Sequence, residues 1–212
     1  MEAIERIIGY DYWITILFVL CIIILSVLKL LKPNKLYGFA IAFFTPGFFY
    51  KQTEENNSFF TSFQLLLFSF MCLVISLFLF EITPEQLIEK SFSNFSIILG
   101  LITLYLLIRF SFDTFLVSVL GLKNILTYFL FSKLGYLKTL SIWLLPILIL
   151  NQYAIKNSFF LIVLFFLLLI FRFFLLIYNN KRLVVNKLFY FILYLCTLEI
   201  APLLILFKTT TT

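Results

Sequence analysis

Residues 158–178 read SFFLIVLFFLLLIFRFFLLIY, a stretch in which Arg172 is the single charged side chain. A helix needs about 20 mostly apolar residues to cross the hydrocarbon core of a bilayer, and this stretch has that length and composition. Five further segments qualify, at residues 12–31, 59–80, 95–112, 139–155 and 188–207. The sequence therefore predicts about six membrane spans.

The overall composition agrees with this interpretation. Hydrophobic residues make up 63% of the 212 positions, charged residues make up 12%, and the mean hydropathy is +1.13. A soluble domain is about half apolar and a quarter charged, and a core of this size cannot hide 30 phenylalanines from water. We expect one integral membrane domain over residues 1–212, folded as an all-α polytopic transmembrane helical bundle.

The positive charge predicts a topology and gives no indication of nucleic-acid binding. The net charge is +6, and the basic residues fall in short runs between apolar segments. Of the 16 basic residues, 12 lie on the connections between predicted spans 1 and 2, 3 and 4, and 5 and 6, or at the adjoining span ends. By the positive-inside rule, these connections are cytoplasmic and both termini are periplasmic in a bacterial inner membrane. The other four basic residues are Arg6, Lys90, Lys156 and Lys208.

Two connections are unusually apolar. Residues 36–50 are too short to cross and are broken at Thr45-Pro46-Gly47, which predicts an interfacial hairpin on the cytoplasmic face. Residues 114–136 carry a polar stripe at helical spacing, which favours a re-entrant or surface-lying helix pair that bends near Gly121. A seventh span is the alternative for this second segment.

Charged groups inside a span are expensive and therefore functional candidates. Arg109 and Asp113 are four residues apart, on one helical face, at the depth expected for Arg172. The three form a predicted cluster, either a structural pairing with snorkelling arginines or a substrate or ion site. Glu199 lies near the predicted midplane of the last span, and Pro202 follows it. It is either a proton-carrying or cation-binding carboxyl, or a neutral acid bonded to a neighbouring helix or arginine.

The remaining chemistry is sparse. The chain has no histidine and six scattered glycines, and it contains no HExxH, no CxxC and no phosphate-cradling glycine cluster. We predict no catalytic residue, no metal site and no cofactor. The question of enzymatic activity stays open, although the composition favours a non-enzymatic protein.

Three segments resemble a known family. Residues 189–202, FYFILYLCTLEIAP, resemble the closing signature of domain-of-unknown-function family 4271, an uncharacterised family of Bacteroidota inner-membrane proteins. Residues 128–136, YFLFSKLGY, and the pair Lys32-Pro33 resemble it as well. The resemblance implies a multi-pass inner-membrane protein, with Glu199 and Pro202 in signature positions, and no established activity.

Three functions follow as hypotheses. The first is a non-enzymatic subunit or scaffold of a cell-envelope complex, for secretion or assembly, whose partners are the lipid bilayer and other membrane proteins. The second is a small transporter or channel that uses Glu199 and the cluster of Arg109, Asp113 and Arg172. The third is a membrane protein that binds lipid headgroups through its arginines.

Overall fold

The computed structural model describes residues 12–45, 48–49, 61–84, 89–119 and 123–179. These residues contain helices and no β-strand. The helices are α1 (Tyr12–Leu31), α2 (Pro33–Ile41), α3 (Ser62–Ile82), α4 (Phe92–Val119), α5 (Lys123–Leu150) and α6 (Ser158–Asn179). A π-helical turn, Asn151–Ile155, continues α5.

Four of these helices are long and apolar enough to cross a membrane. They are Tyr12–Leu31, Ser62–Ile82, Phe92–Phe115 and Leu130–Ile155. They correspond to the first four predicted spans, and α1 has the predicted bounds. Helix α6 covers the predicted fifth span, whereas the sixth, 188–207, lies outside the described residues.

The segment 114–136 is not a separate helix pair. Its first part, up to Val119, is the end of α4, and its second part, from Lys123, is the beginning of α5. Helix α4 ends before the expected bend at Gly121, and helix α5 begins after it.

Successive long helices run in opposite directions, so the bundle has two distinct ends. At one end, the Trp13 ring packs against Phe80 of α3 and against Phe92 and Phe95 of α4. We call this the tryptophan end. Tyr153 lies there as well, because its hydroxyl is 2.8 Å from Oγ1 of Thr15. The opposite end, where α5 begins, is called the lysine end.

Helix α3 occupies the centre of the bundle. It packs against α1, α4, α5 and α6, and half of its most apolar stretch is buried. Its side chains at Leu67, Phe70, Met71 and Val74 are completely buried. Between membrane helices such contacts stabilise the fold through close van der Waals packing, and α3 makes them with four other helices.

The segment 36–50 is packed against the bundle. Its described part consists of most of α2, a turn to Thr45, and Phe48–Phe49. The Phe43 ring stacks on Tyr136, and the Trp143 indole donates a hydrogen bond of 3.0 Å to the carbonyl of Ala40. The segment therefore lies along about 10 Å of α5. Phe39, Phe43 and Phe49 are buried in the protein, whereas Phe44 is 66% exposed.

Candidate functional site

A buried ion pair joins α4 to α5 near the lysine end. The Nζ atom of Lys133 lies 3.4 Å from Oδ2 of Asp113. The two side chains are 3% and 6% exposed. Because α4 ends at Val119 and α5 begins at Lys123, the short connection brings these two positions opposite each other. A carboxylate and an ammonium removed from water each carry a large desolvation cost, which pairing offsets.

Arg172 joins a third helix to this pair. It is 7% exposed, and its Nη2 atom donates to the carbonyl oxygen of Lys133 at 3.3 Å. Asp113 and Arg172, which were predicted to share one level, therefore contact the same residue, Lys133, at its side-chain ammonium and its main-chain carbonyl. Three side chains from α4, α5 and α6 form what we call the ionic cluster: Asp113, Lys133 and Arg172.

The remaining predicted site residues are Arg109, Glu199 and Pro202. Arg109 is half-buried one turn before Asp113, and its Nη1 atom donates to the Tyr105 hydroxyl at 3.0 Å. Glu199 and Pro202 lie outside the described residues.

Sequence reasoning missed Lys133 because the residue was counted with the cytoplasmic connections. The available signal was its neighbour Ser132, which belongs to the predicted polar stripe and is fully buried. A polar stripe on a helix that packs against other helices faces inward, and a lysine beside it can reach a carboxylate on the next helix.

A second buried lysine lies further along α5. Lys138 is 9% exposed, and its ammonium donates a hydrogen bond to Oε1 of Gln64 in the first turn of α3. Gln64 is 5% exposed. This contact ties α3 to α5 in the same half of the bundle as the ionic cluster.

Two glycines allow phenylalanine rings to pack beside the ionic cluster. A Cβ atom at Gly135 would collide with the ring of Phe49, and a Cβ atom at Gly38 would collide with the ring of Phe48. Phe49 in turn packs edge-on against Tyr136, with ring centroids 4.7 Å apart. The aromatic segment therefore covers the region of α5 next to Lys133 and shields it from water.

The tryptophan end carries a smaller polar group. The side chain of the buried Asn151 makes two hydrogen bonds. Its Nδ2 donates to Oε1 of Glu81 at 3.3 Å, and its Oδ1 accepts from the backbone N–H of Asn157 at 3.2 Å. Lys156 ends the π-helical turn with φ of 48°, in the left-handed region. The arrangement fixes the turn between α5 and α6.

Within the part of the chain that the structure describes, no three His, Cys, Asp or Glu side chains lie close enough together to hold a metal ion. The described ionic cluster carries two cations and one carboxylate. Its chemistry is that of charge pairing between helices.

The fold and this cluster define an α-helical membrane protein with several apolar helices around a buried ion pair. The chain belongs to the family described as Domain of unknown function (DUF4271), whose model matches residues 14–209. This confirms the resemblance seen in the sequence. Comparisons with curated proteins and with solved structures give no match.

Proposed function

We propose that the protein is a non-enzymatic subunit or scaffold of a membrane complex in the bacterial cell envelope, and that its partner packs on α4. The observation that carries this proposal is the exposure of α4. Only 11% of its most apolar stretch is buried, whereas the corresponding values for α3 and α5 are 50% and 56%. Helix α4 therefore offers a long apolar surface to its surroundings.

One patch on this largely apolar surface is suited to the helix of a protein neighbour. Ser96 and Gly100 are both exposed and lie four residues apart. Small residues at this spacing let two helix backbones approach closely within a membrane. The Ser96 hydroxyl already donates to the carbonyl of Phe92 at 3.1 Å, so a partner helix meets no unsatisfied donor there. Among the described atoms, nothing approaches within 4 Å of a Cβ built at Gly100.

Helix α6 provides the matched control surface. Its exposed positions include Phe159, Phe166 and Ile170, which are 73%, 58% and 69% exposed. These are large apolar side chains of the kind that suits contact with lipid chains.

Site-specific photo-crosslinking in native membranes tests the proposal. A photoreactive residue at Leu104 of α4 should give one discrete protein adduct heavier than the chain, and the same residue at Ile170 of α6 should give none. Gly100→Leu should abolish the Leu104 adduct without lowering the free energy of unfolding, because the position is open and leucine is a better helix former than glycine. An adduct that survives Gly100→Leu, equal adducts from both helices, or an adduct with the mass of a second copy of this chain would contradict it.

We also propose that the lysine end faces the cytoplasm and that both termini are periplasmic in an inner membrane. The support is the distribution of charge: Lys29, Lys32 and Lys35 join Lys133 and Lys138 at the lysine end, and such a bias marks the cytoplasmic side. Reporter fusions at the two termini should both be active in the periplasm. Termini on opposite sides would overturn this orientation.

A further inference from the structure

A small cavity opens between α3, α4 and α5 on the outside of the bundle. Its volume is about 100 Å³, and its polar lining comes from Gln64 and Lys138. Leu65 and Leu107 line it as well, and they are 53% and 50% exposed. The mouth of the cavity is therefore framed by leucines on the outer surface of the bundle. On this volume measure, one water needs about 10–15 Å³, so the space holds a group of several non-hydrogen atoms.

Among the described residues, no carboxylate balances the charge inside this cavity. Lys138 donates to the neutral amide oxygen of Gln64, and no carboxylate of the described residues pairs with it. An ammonium has three hydrogens to donate, and Gln64 accepts one of them. Lys133, in contrast, is paired with Asp113. A buried cation needs a counter-charge, so the cavity is suited to an anion.

The position of the cavity in the bundle strengthens this argument. Gln64 lies in the first turn of α3, a helix of 21 residues. The N-terminal end of a helix carries a partial positive charge that favours anions. The cavity therefore combines the Lys138 ammonium with the positive end of α3.

We propose that this cavity binds the phosphate group of an anionic phospholipid from the adjacent leaflet. The phosphate oxygens would accept hydrogen bonds from Lys138, and the acyl chains would run along Leu65 and Leu107. The leucine-framed mouth selects a lipid over free phosphate, since inorganic phosphate gains nothing from apolar walls. This inference does not depend on whether α4 binds a protein partner through Ser96 and Gly100.

Lipid titration of the purified full chain tests the proposal. We expect native mass spectrometry in detergent to show saturable binding of one phosphatidylglycerol. Phosphatidylcholine should bind at least tenfold more weakly, and millimolar inorganic phosphate should not displace the bound lipid. Lys138→Met should weaken phosphatidylglycerol binding at least tenfold. Lys32→Met removes an exposed lysine at the same end of the bundle and should change the affinity less than twofold.

A second variant keeps the test decisive if Lys138→Met does not fold. Leu107→Trp fills the mouth of the cavity and leaves Lys138 in place, and it should also weaken phosphatidylglycerol binding at least tenfold. Unchanged binding in either folded variant, or equal loss in Lys32→Met, would overturn the proposal. Displacement of the lipid by inorganic phosphate would show a free-anion site and would refute the assignment to lipid.

Discussion

Lys133 and Asp113 form an ion pair across α4 and α5, 3.4 Å apart, with both side chains almost fully buried. Removing one member leaves the other as an uncompensated buried charge, which typically costs about 3–5 kcal/mol. We expect Asp113→Leu and Lys133→Met each to lower the free energy of unfolding by about that amount. The double variant should lose less than the sum of the two. Unfolding in increasing dodecyl sulfate measures all three, and strictly additive losses would show that the pair is not coupled.

The two arginines should differ in their contribution to stability. Arg172 is buried and bound to the carbonyl of Lys133, whereas Arg109 is half-buried and donates to the Tyr105 hydroxyl. Hydrogen bonds that involve a charged group contribute about 1.5–3 kcal/mol. Arg172→Ala should therefore lower the free energy of unfolding by about 2 kcal/mol or more, and Arg109→Ala by about 1 kcal/mol or less. The same denaturant titration compares them, and an equal loss from both substitutions would argue against a special position for Arg172.

Three glycines provide a test of close packing. Gly135→Ala and Gly38→Ala place a methyl group against the rings of Phe49 and Phe48, and overpacking of this kind costs about 1–3 kcal/mol. Gly100→Ala meets open space and should raise the free energy of unfolding by up to about 1 kcal/mol, because alanine is the better helix former. Thermal unfolding of the three variants in one detergent gives the comparison. A loss of stability in Gly100→Ala matching that in Gly135→Ala would contradict the packing.

Lys156 tests the turn at the tryptophan end. It has a left-handed backbone conformation, with φ of 48°, and this conformation costs a residue with a Cβ atom about 1–2 kcal/mol. Lys156→Gly should raise the thermal unfolding temperature, and Lys156→Val should lower it. Asn157→Ala serves as a control for the adjacent hydrogen bonds. The expectation fails if the glycine and valine variants unfold at the same temperature.

Much of the fold could be predicted from the hydrophobic pattern, because each described long helix coincides with an apolar segment. The pattern could not locate the ends of α4 and α5, because residues 114–136 are mostly apolar but also carry polar side chains at helical spacing. Arg172 was predicted to lie level with Asp113, and in the structure both contact Lys133, Arg172 through the main-chain carbonyl and Asp113 through the side-chain ammonium. The role of Lys133 depends on a tertiary contact, for which the polar stripe with the buried Ser132 was an indirect signal.

The phenylalanines of the α2 segment have a consequence for synthesis of the protein. Phe43 and Phe49 pack against Tyr136, which follows them by about 90 residues in the chain. At 5–20 residues per second, the ribosome needs roughly 5–20 s to produce that distance. During this interval the aromatic segment has no native docking surface on α5. Assembly of this end of the protein must therefore wait for a late-emerging helix, and an insertase or chaperone that holds the nascent chain would have its main task there.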